Sequence, residues 1–292
     1  MRTTLIVNPY ATRVTPESVA EVERVLKPVA TFATERAGHA IELAREIETE
    51  VLVVFSGDGG FNEVLNGLRP ETVVGFVPGG GTSVLARALG LPRDAAGAAR
   101  RIAEAVQLGR QRRIGLGRVN GRRFGFSAGI GLDAELVRRM DARGRDASGK
   151  RPGDLVFAWT IVRMLAAEGW RLDPALEIEG HGRAAFALVG NCDPYSYAGL
   201  VPLHVTPAAR FELGLDLTAA RALRPLALPR FAAYVASGRG HDRAADVLHL
   251  HDLDRVVVRC DRPLPLQVDG EDIGDVTEAV FEAERDAVSV LA

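Results

Sequence analysis

An aspartate inside a run of glycines, Ser56-Gly57-Asp58-Gly59-Gly60, is where residue types and spacing in this 292-residue chain point most directly to chemistry. Glycines let backbone N–H groups converge on an anion, because without Cβ atoms the chain approaches closely and takes positive φ. A carboxylate in such a cradle repels phosphate unless it works through Mg²⁺, a ribose hydroxyl or a bound proton, so Asp58 reads as a functional group. A second glycine turn, Pro78-Gly79-Gly80-Gly81-Thr82, follows in the chain. A third candidate is Asp269-Gly270-Glu271. Asp-Gly is itself a hairpin signal, which leaves Glu271 either a solvated turn acid or a carboxylate projected to take a proton.

Each glycine cluster needs an element on either side of it. Residues 51–55 form a short, continuous apolar run, the pattern of a strand buried on both faces of a parallel sheet. Residues 61–68 put Phe61, Val64, Leu65 and Leu68 at helical spacing, so the first cluster falls at a helix N-terminus, where phosphate is favoured. Strands over 4–7, 29–34, 51–55 and 73–77 alternate with helices over 15–26, 39–48 and 61–68, and a helical run passes through Leu85, Ala88 and Leu89. That alternation predicts a parallel sheet with helices on both faces. Ligands of such sheets sit at the carboxyl ends of the strands, where Asn8, Thr34 and both glycine turns fall. Taken singly, Asn8, Thr34 and Thr82 serve equally well as caps or turn residues.

Beyond residue 109 the pattern changes. Runs over 114–119 and 122–126 flank Asn120-Gly121, a strong hairpin signal, and short strands are expected over 175–179, 184–189, 256–260 and 264–268. Helices over 154–168 and 226–237 interrupt them. The segment 144–153, GRDASGKRPG, reads as a mobile loop.

Composition narrows the function classes. The chain is 47% hydrophobic and 25% charged with a net charge of −2, so it has no global basic field to bind nucleic acid. Local basic clusters at Arg110, Arg112 and Arg113 and over 138–151 read as solvated faces, or as phosphate or acidic-lipid contacts. Cys192 and Cys260 lack ligand spacing, which argues against a zinc site or disulfide framework and fits a reducing cytoplasm. The six histidines show no metal-ligand spacing either. The N-terminal residues lack a signal-peptide pattern. The most apolar segment, 155–167, contains Arg163 and is shorter than the roughly 20 residues of a bilayer span.

Residues 56–68, SGDGGFNEVLNGL, resemble the signature turn of the diacylglycerol kinase catalytic-domain family, which includes soluble bacterial lipid kinases and the sphingosine and ceramide kinases. Asn8-Pro9, the TERAGHA of 34–40, the VPGGGTSVLARALGLP of 77–92, the AGIGLDA of 128–134, Lys150 with Gly153 and Leu155, and the QVDGE of 267–271 follow in the family's order. The resemblance implies ATP-dependent phosphorylation of diacylglycerol or a related lipid alcohol, with ATP in a cleft between two domains. By resemblance, Asn8, Thr34, Ser56, Gly57, Asp58, Gly59, Gly60, Asn62, Glu63, Gly80, Gly81 and Thr82 form the nucleotide site. Asp58 then acts through Mg²⁺ carried by the nucleotide, and Glu271 is the general base. SGDGG stands where the family usually has GGDGT, and Val84 and Leu213 stand where some members place carboxylates of a structural Mg²⁺ site.

The fold expected is α/β plus all-β. A parallel-sheet, Rossmann-like nucleotide domain over 1–117, to which 277–292 returns, is followed by an antiparallel β-sandwich domain over 118–276 that takes the lipid acceptor. The implied partner is a lipid alcohol presented at a membrane surface, with no nucleic acid and with a homodimer left open. The implied location is the cytoplasm, peripheral at the inner membrane face. Two other readings stand beside this one. An NAD kinase shares the GDG turn, although QVDGE and the ARALG helix favour the lipid branch; a catalytically silent lipid-binding regulator is the other, against which Asp58 and Glu271 argue.

Overall fold

Apolar runs too short for buried helices become the parallel strands of the first part of the chain. The computed structural model describes residues 1–144 and 154–292. They fall into two compact units, Met1–Leu116 with Arg285–Ala292, and Gly117–Glu284; from sequence alone the divisions fall at 117/118 and 276/277. Residues 145–153, which carry Lys150, Gly153 and nearly all of the segment read as a mobile loop, lie outside the described residues.

In the first unit β1 (Thr3–Val7), β2 (Ala30–Ala33), β3 (Val51–Ser56) and β4 (Val73–Pro78) run parallel in the order β2-β1-β3-β4. Helices α1 (Pro16–Leu26), α2 (His39–Glu46), α3 (Asp58–Gly67), α4 (Val84–Ala88) and α5 (Ala95–Leu108) join or follow them. Every residue of β1 and β3 is buried, as a sheet covered on both faces requires. Thr15 and Ser18 close a reciprocal capping box at the start of α1, with Pro16 in its first turn.

Helix α3 corrects two expectations. It begins at Asp58 rather than at 61, so the glycine cluster is the first turn of the helix instead of a loop before it. Gly57 is its N-cap at φ −84 and ψ 180, and none of Gly57, Gly59 and Gly60 takes a positive φ. An extended N-cap followed by right-handed helix needs no left-handed residue. These glycines serve close approach.

In the second unit, β5 (Arg112–Val119) and β6 (Arg122–Phe124) form the expected hairpin, with β5 crossing the division between units. Asn120 and Gly121 lie at φ 47 and 89, the left-handed pair that a two-residue hairpin turn needs. Then come β7 (Ser127–Ile130), α6 (Leu132–Ala142), α7 (Asp154–Ala167), β8 (Leu176–Ile178), β9 (Gly182–Ala184) and β10 (Phe186–Gly190). After them lie β11 (Ser196–Ala198), β12 (Val201–Leu203), β13 (Leu215–Ala220), α8 (Leu228–Ser237), β14 (Val247–Leu253), β15 (Arg255–Val268) and β16 (Glu271–Leu291).

Strands β15 and β16 make one long antiparallel ribbon, whose register breaks between Arg259 and Leu264, so the two strands read over 256–260 and 264–268 are one. The first part of β15 pairs with β8 and its last residues with β7. Two antiparallel branches, β14-β13-β10-β7 and β9-β8, therefore extend from the same ribbon. One apolar cluster that includes Phe124, Ile130, Ile178, Leu217, Val258 and Phe281 packs among strands of both branches. The last residues of β16 belong to the first unit, where Val290 and Leu291 pair in parallel with Val74 and Gly75 of β4. Among the described residues no helix is long and apolar enough to cross a membrane.

Candidate active site

The carboxyl ends of the first unit's strands gather the first set of candidates. Asn8 follows β1; its backbone N–H donates to Phe55 O at 3.0 Å and its Oδ1 accepts the Tyr10 N–H at 3.0 Å. Thr34 follows β2, is buried, and donates its backbone N–H to Val7 O at 2.8 Å. Ser56 closes β3, and its carbonyl accepts the Gly79 N–H at 2.7 Å, which ties the two glycine turns together.

The turns meet at van der Waals limits that only glycine allows. A Cβ on Gly80 would lie 2.9 Å from Gly57 Cα, and one on Gly79 would lie 2.7 Å from Val14 Cγ2. A Cβ on Gly60 would lie 2.1 Å from Ser56 Oγ. Gly81 instead has open space around it, and it and Thr82 are exposed. The first-turn N–H groups of α3 have no intrahelical acceptors, and Gly57 provides no side-chain cap. Beside them the buried hydroxyl of Ser56 has no hydrogen-bond partner. Hydroxyl, helix N-terminus and exposed Gly81-Thr82 together make a donor set suited to phosphate.

Three of the expected nucleotide residues are held by bonds to the chain itself. Asp58 Oδ2 accepts the Val84 N–H at 3.0 Å and its Oδ1 accepts the Leu85 N–H at 3.2 Å. Asp58 thus caps α4, whose own N-cap, Ser83, makes no side-chain cap. Glu63 does the same for α2, accepting the Gly38 N–H at 2.9 Å and the Ala40 N–H at 3.2 Å. Asn62 has no exposed surface, and its Oδ1 and backbone oxygen accept from Asn66 Nδ2 at 3.3 and 2.9 Å. Among the described residues no group of three or more His, Cys, Asp and Glu side chains is placed to hold a metal ion. Each oxygen of Asp58 accepts one of the α4 N–H groups.

The second unit presents Glu271. The turn from β15 to β16 passes through Asp269 at φ 49 and Gly270 at φ 78, and Glu271 is the next residue. The buried Asp269 carboxylate accepts three backbone N–H groups, from Gly125, Phe126 and Ser127, at 2.7, 2.9 and 3.1 Å. Gln267 holds the other side of the turn through its Oε1, which accepts the Gly270 N–H at 2.9 Å. Its Nε2 donates to Asp133 Oδ2 at 2.8 Å and to the Tyr195 hydroxyl at 3.0 Å, while that hydroxyl donates to Asp133 Oδ2 at 2.5 Å. Loss of hydration pushes the Asp133 carboxyl above the usual carboxylate range, against the pull of the hydrogen bonds from Tyr195 and Gln267. Loss of hydration and then the Asp133 charge push Tyr195 well above its ordinary value, so it stays a donor. Glu271 Oε2 accepts from Arg122 Nη2 at 3.0 Å, and both side chains are about one-third exposed (31% each). Sequence reading places Asp133 in the AGIGLDA of 128–134 and Gln267 in the QVDGE of 267–271 but does not pair them, and it does not find Tyr195, because the contact spans 134 residues of chain.

Known proteins resemble this chain in sequence and in fold. Residues 2–119 match the model of the diacylglycerol kinase catalytic domain. A diacylglycerol kinase of Bacillus subtilis (strain 168) is 37% identical over 147 residues, which are 47% of this chain and 48% of that protein. One of Staphylococcus carnosus (strain TM300) is 28% identical over 271 residues, 89% of this chain and 83% of that protein. The chain spans about half, or less, of the length of most of the curated relatives it matches, 48% for the Bacillus subtilis protein and 36% for one from Staphylococcus epidermidis. In fold, the chain is similar to the crystal structure of a diacylglycerol kinase from Bacillus anthracis str. Sterne, with a TM-score of 0.74 at 20% identity over 99% of this chain and 96% of that one. An NAD kinase from Archaeoglobus fulgidus in complex with ATP is more distant, with a TM-score of 0.51 at 11% identity over 99% and 93% of the two chains.

Proposed function

We propose, from the match of residues 2–119 to the diacylglycerol kinase catalytic domain, that the chain transfers the terminal phosphate of ATP to the hydroxyl of diacylglycerol or a related lipid alcohol taken from a membrane surface. The observation that carries the reading is the glycine-built first turn of α3, to which the N-cap Gly57 gives no side-chain cap, beside the unpartnered Ser56 hydroxyl, a donor set for a phosphate chain. Phosphoryl transfer asks the protein mainly for positioning and charge neutralisation, so such a cradle is the larger share of the work.

In this reading the N–H groups of the α3 first turn and the Ser56 hydroxyl hold phosphate oxygens, with Asn8, Gly81 and Thr82 at the rim. Thr34 sets the edge of the site from the end of β2. Asp58 acts on the nucleotide indirectly, by holding α4 and the second glycine turn against the first. Mg²⁺ brought with the nucleotide would neutralise phosphate charge, with Asp58 the candidate to act through it. Glu271 accepts the proton of the lipid hydroxyl, and Arg122 orients its carboxylate.

The test is ATP turnover against a panel of lipid alcohols in mixed micelles, with NAD offered as a rival acceptor. Phosphorylated lipid is expected; phosphorylated NAD would reassign the chain to the other branch, and bound but unspent ATP would make it a regulator. Glu271→Gln keeps the fold and the affinity for ATP and lowers transfer by about 10²–10⁴-fold. Near-normal turnover would remove Glu271 from its role.

A further inference from the structure

We propose that Gln267 is a positioning residue for Glu271, and that Asp133 and Tyr195 fix the orientation of the Gln267 amide that this requires. The inference rests on the reading of Glu271 as the base.

A glutamine amide fits a site in two orientations, which exchange a donor for an acceptor. Here its surroundings decide between them. Asp133 Oδ2 accepts from both Nε2 and the Tyr195 hydroxyl, and that hydroxyl, which spends its proton on Asp133, offers Nε2 a lone pair. That leaves Oε1 facing the Gly270 N–H. Turned the other way, Oε1 would oppose a carboxylate and Nε2 would oppose an N–H. Gln267 is 1% exposed, so water cannot relieve either conflict. The pocket is also sterically closed: a Cβ on Gly129 would lie 2.6 Å from Asp133 Oδ2 and 3.2 Å from Gln267 Nε2.

The turn needs such anchors because Asp269 holds a left-handed conformation, which a residue with a Cβ adopts less readily than glycine. Its carboxylate fixes one side of the turn to the backbone of 125–127, and Gln267 fixes the other. Glu271 leaves the turn directly after Gly270. An amide pointed by Asp133 therefore sets where the Glu271 carboxylate begins, although neither Gln267 nor Asp133 need touch the substrate.

The experiment follows kcat, the KM for ATP, thermal unfolding, and hydrogen exchange at the Gly270 amide in Gln267→Leu. Expected are a kcat lower by about 10–100-fold, as for a misplaced reacting group, an unchanged KM for ATP, and faster exchange at Gly270. In the Glu271→Gln background the same substitution costs no further turnover. Gln267→Glu alone places two carboxylates together; combining it with Asp133→Asn restores the contact with its polarity reversed and recovers kcat and Gly270 protection. Should Gln267→Leu fail to fold, Tyr195→Phe removes a single hydroxyl and moves the same readings in the same direction. Full turnover in Gln267→Leu, losses additive with Glu271→Gln, or unaltered Gly270 exchange would each overturn the proposal. Normal turnover in Glu271→Gln would defeat the base reading separately. Gly270 exchange then decides the matter alone, faster exchange supporting Gln267 as the holder of the turn and unaltered exchange overturning it.

Discussion

A β-carbon on Gly60 would stand 2.1 Å from the hydroxyl oxygen of Ser56 and 2.8 Å from its Cβ. The strand residue thus occupies the space in which a side chain at 60 would begin, and the two positions exclude one another. This geometry predicts that serine at 56 and threonine at 60 do not combine. Gly60→Thr alone is expected to lower stability by about 1–3 kcal/mol through overpacking, and Ser56→Gly added to it to restore most of the loss. Urea unfolding of the two single variants and the double variant checks this; additive effects would break the pairing.

Asp58 joins α3 to α4 across 26 residues. Asp58→Ala leaves the first N–H groups of α4 without their acceptor, at a cost of about 0.5–2 kcal/mol, and frees the second glycine turn. The KM for ATP should rise while the dependence of rate on Mg²⁺ concentration keeps its midpoint. A shifted Mg²⁺ midpoint with unchanged stability would make Asp58 a metal ligand instead.

Glu63 serves α2 in the same way. Glu63→Ala is expected to cost about 1 kcal/mol in unfolding free energy and to leave the KM for ATP unaltered. Weaker ATP binding by a variant of normal stability would place Glu63 back in the nucleotide site.

His241 and His249 link stability to pH. Loss of hydration holds both below the ordinary histidine value; repulsion from His249 adds to the effect at His241, while Asp216 opposes it at His249. Because the folded values are depressed, this contribution to stability is present above the unfolded value of about 6.5 and is lost as pH falls through the folded ones. Urea midpoints should drop between about pH 7.5 and pH 5.5, and less steeply in His249→Gln. An identical slope in that variant would rule His249 out as a source.

Much of the fold was legible because its signals are local. The apolar run of β3, the Thr15 cap with Pro16, and Asn120-Gly121 each carry their reason within a few residues. Misreadings occur where local signals are silent. The start of α3 is glycine, which has no side chain to show a period. Helix α6 is charged along most of its length and buries only Ala134, Leu136 and Met140. In β16 the apolar alternation is interrupted by acids that find arginines elsewhere, such as Glu284 with Arg123 at 2.7 Å and Glu278 with Arg259 at 3.0 Å.

That a strand, a run of glycines and a helix follow one another was legible in sequence alone, since that order is local. Which partner each polar side chain meets was decided only by tertiary structure. Asp58 goes to α4, Glu63 to α2 across 25 residues, Asp269 to the backbone of 125–127, and Gln267 to Asp133. Backbone N–H groups at helix starts and turns must find acceptors, and packing brings those acceptors from distant parts of the chain. Residue type shows that Asp58 and Glu63 are able to accept such bonds; only the approach of α4 and α2 determines that they do.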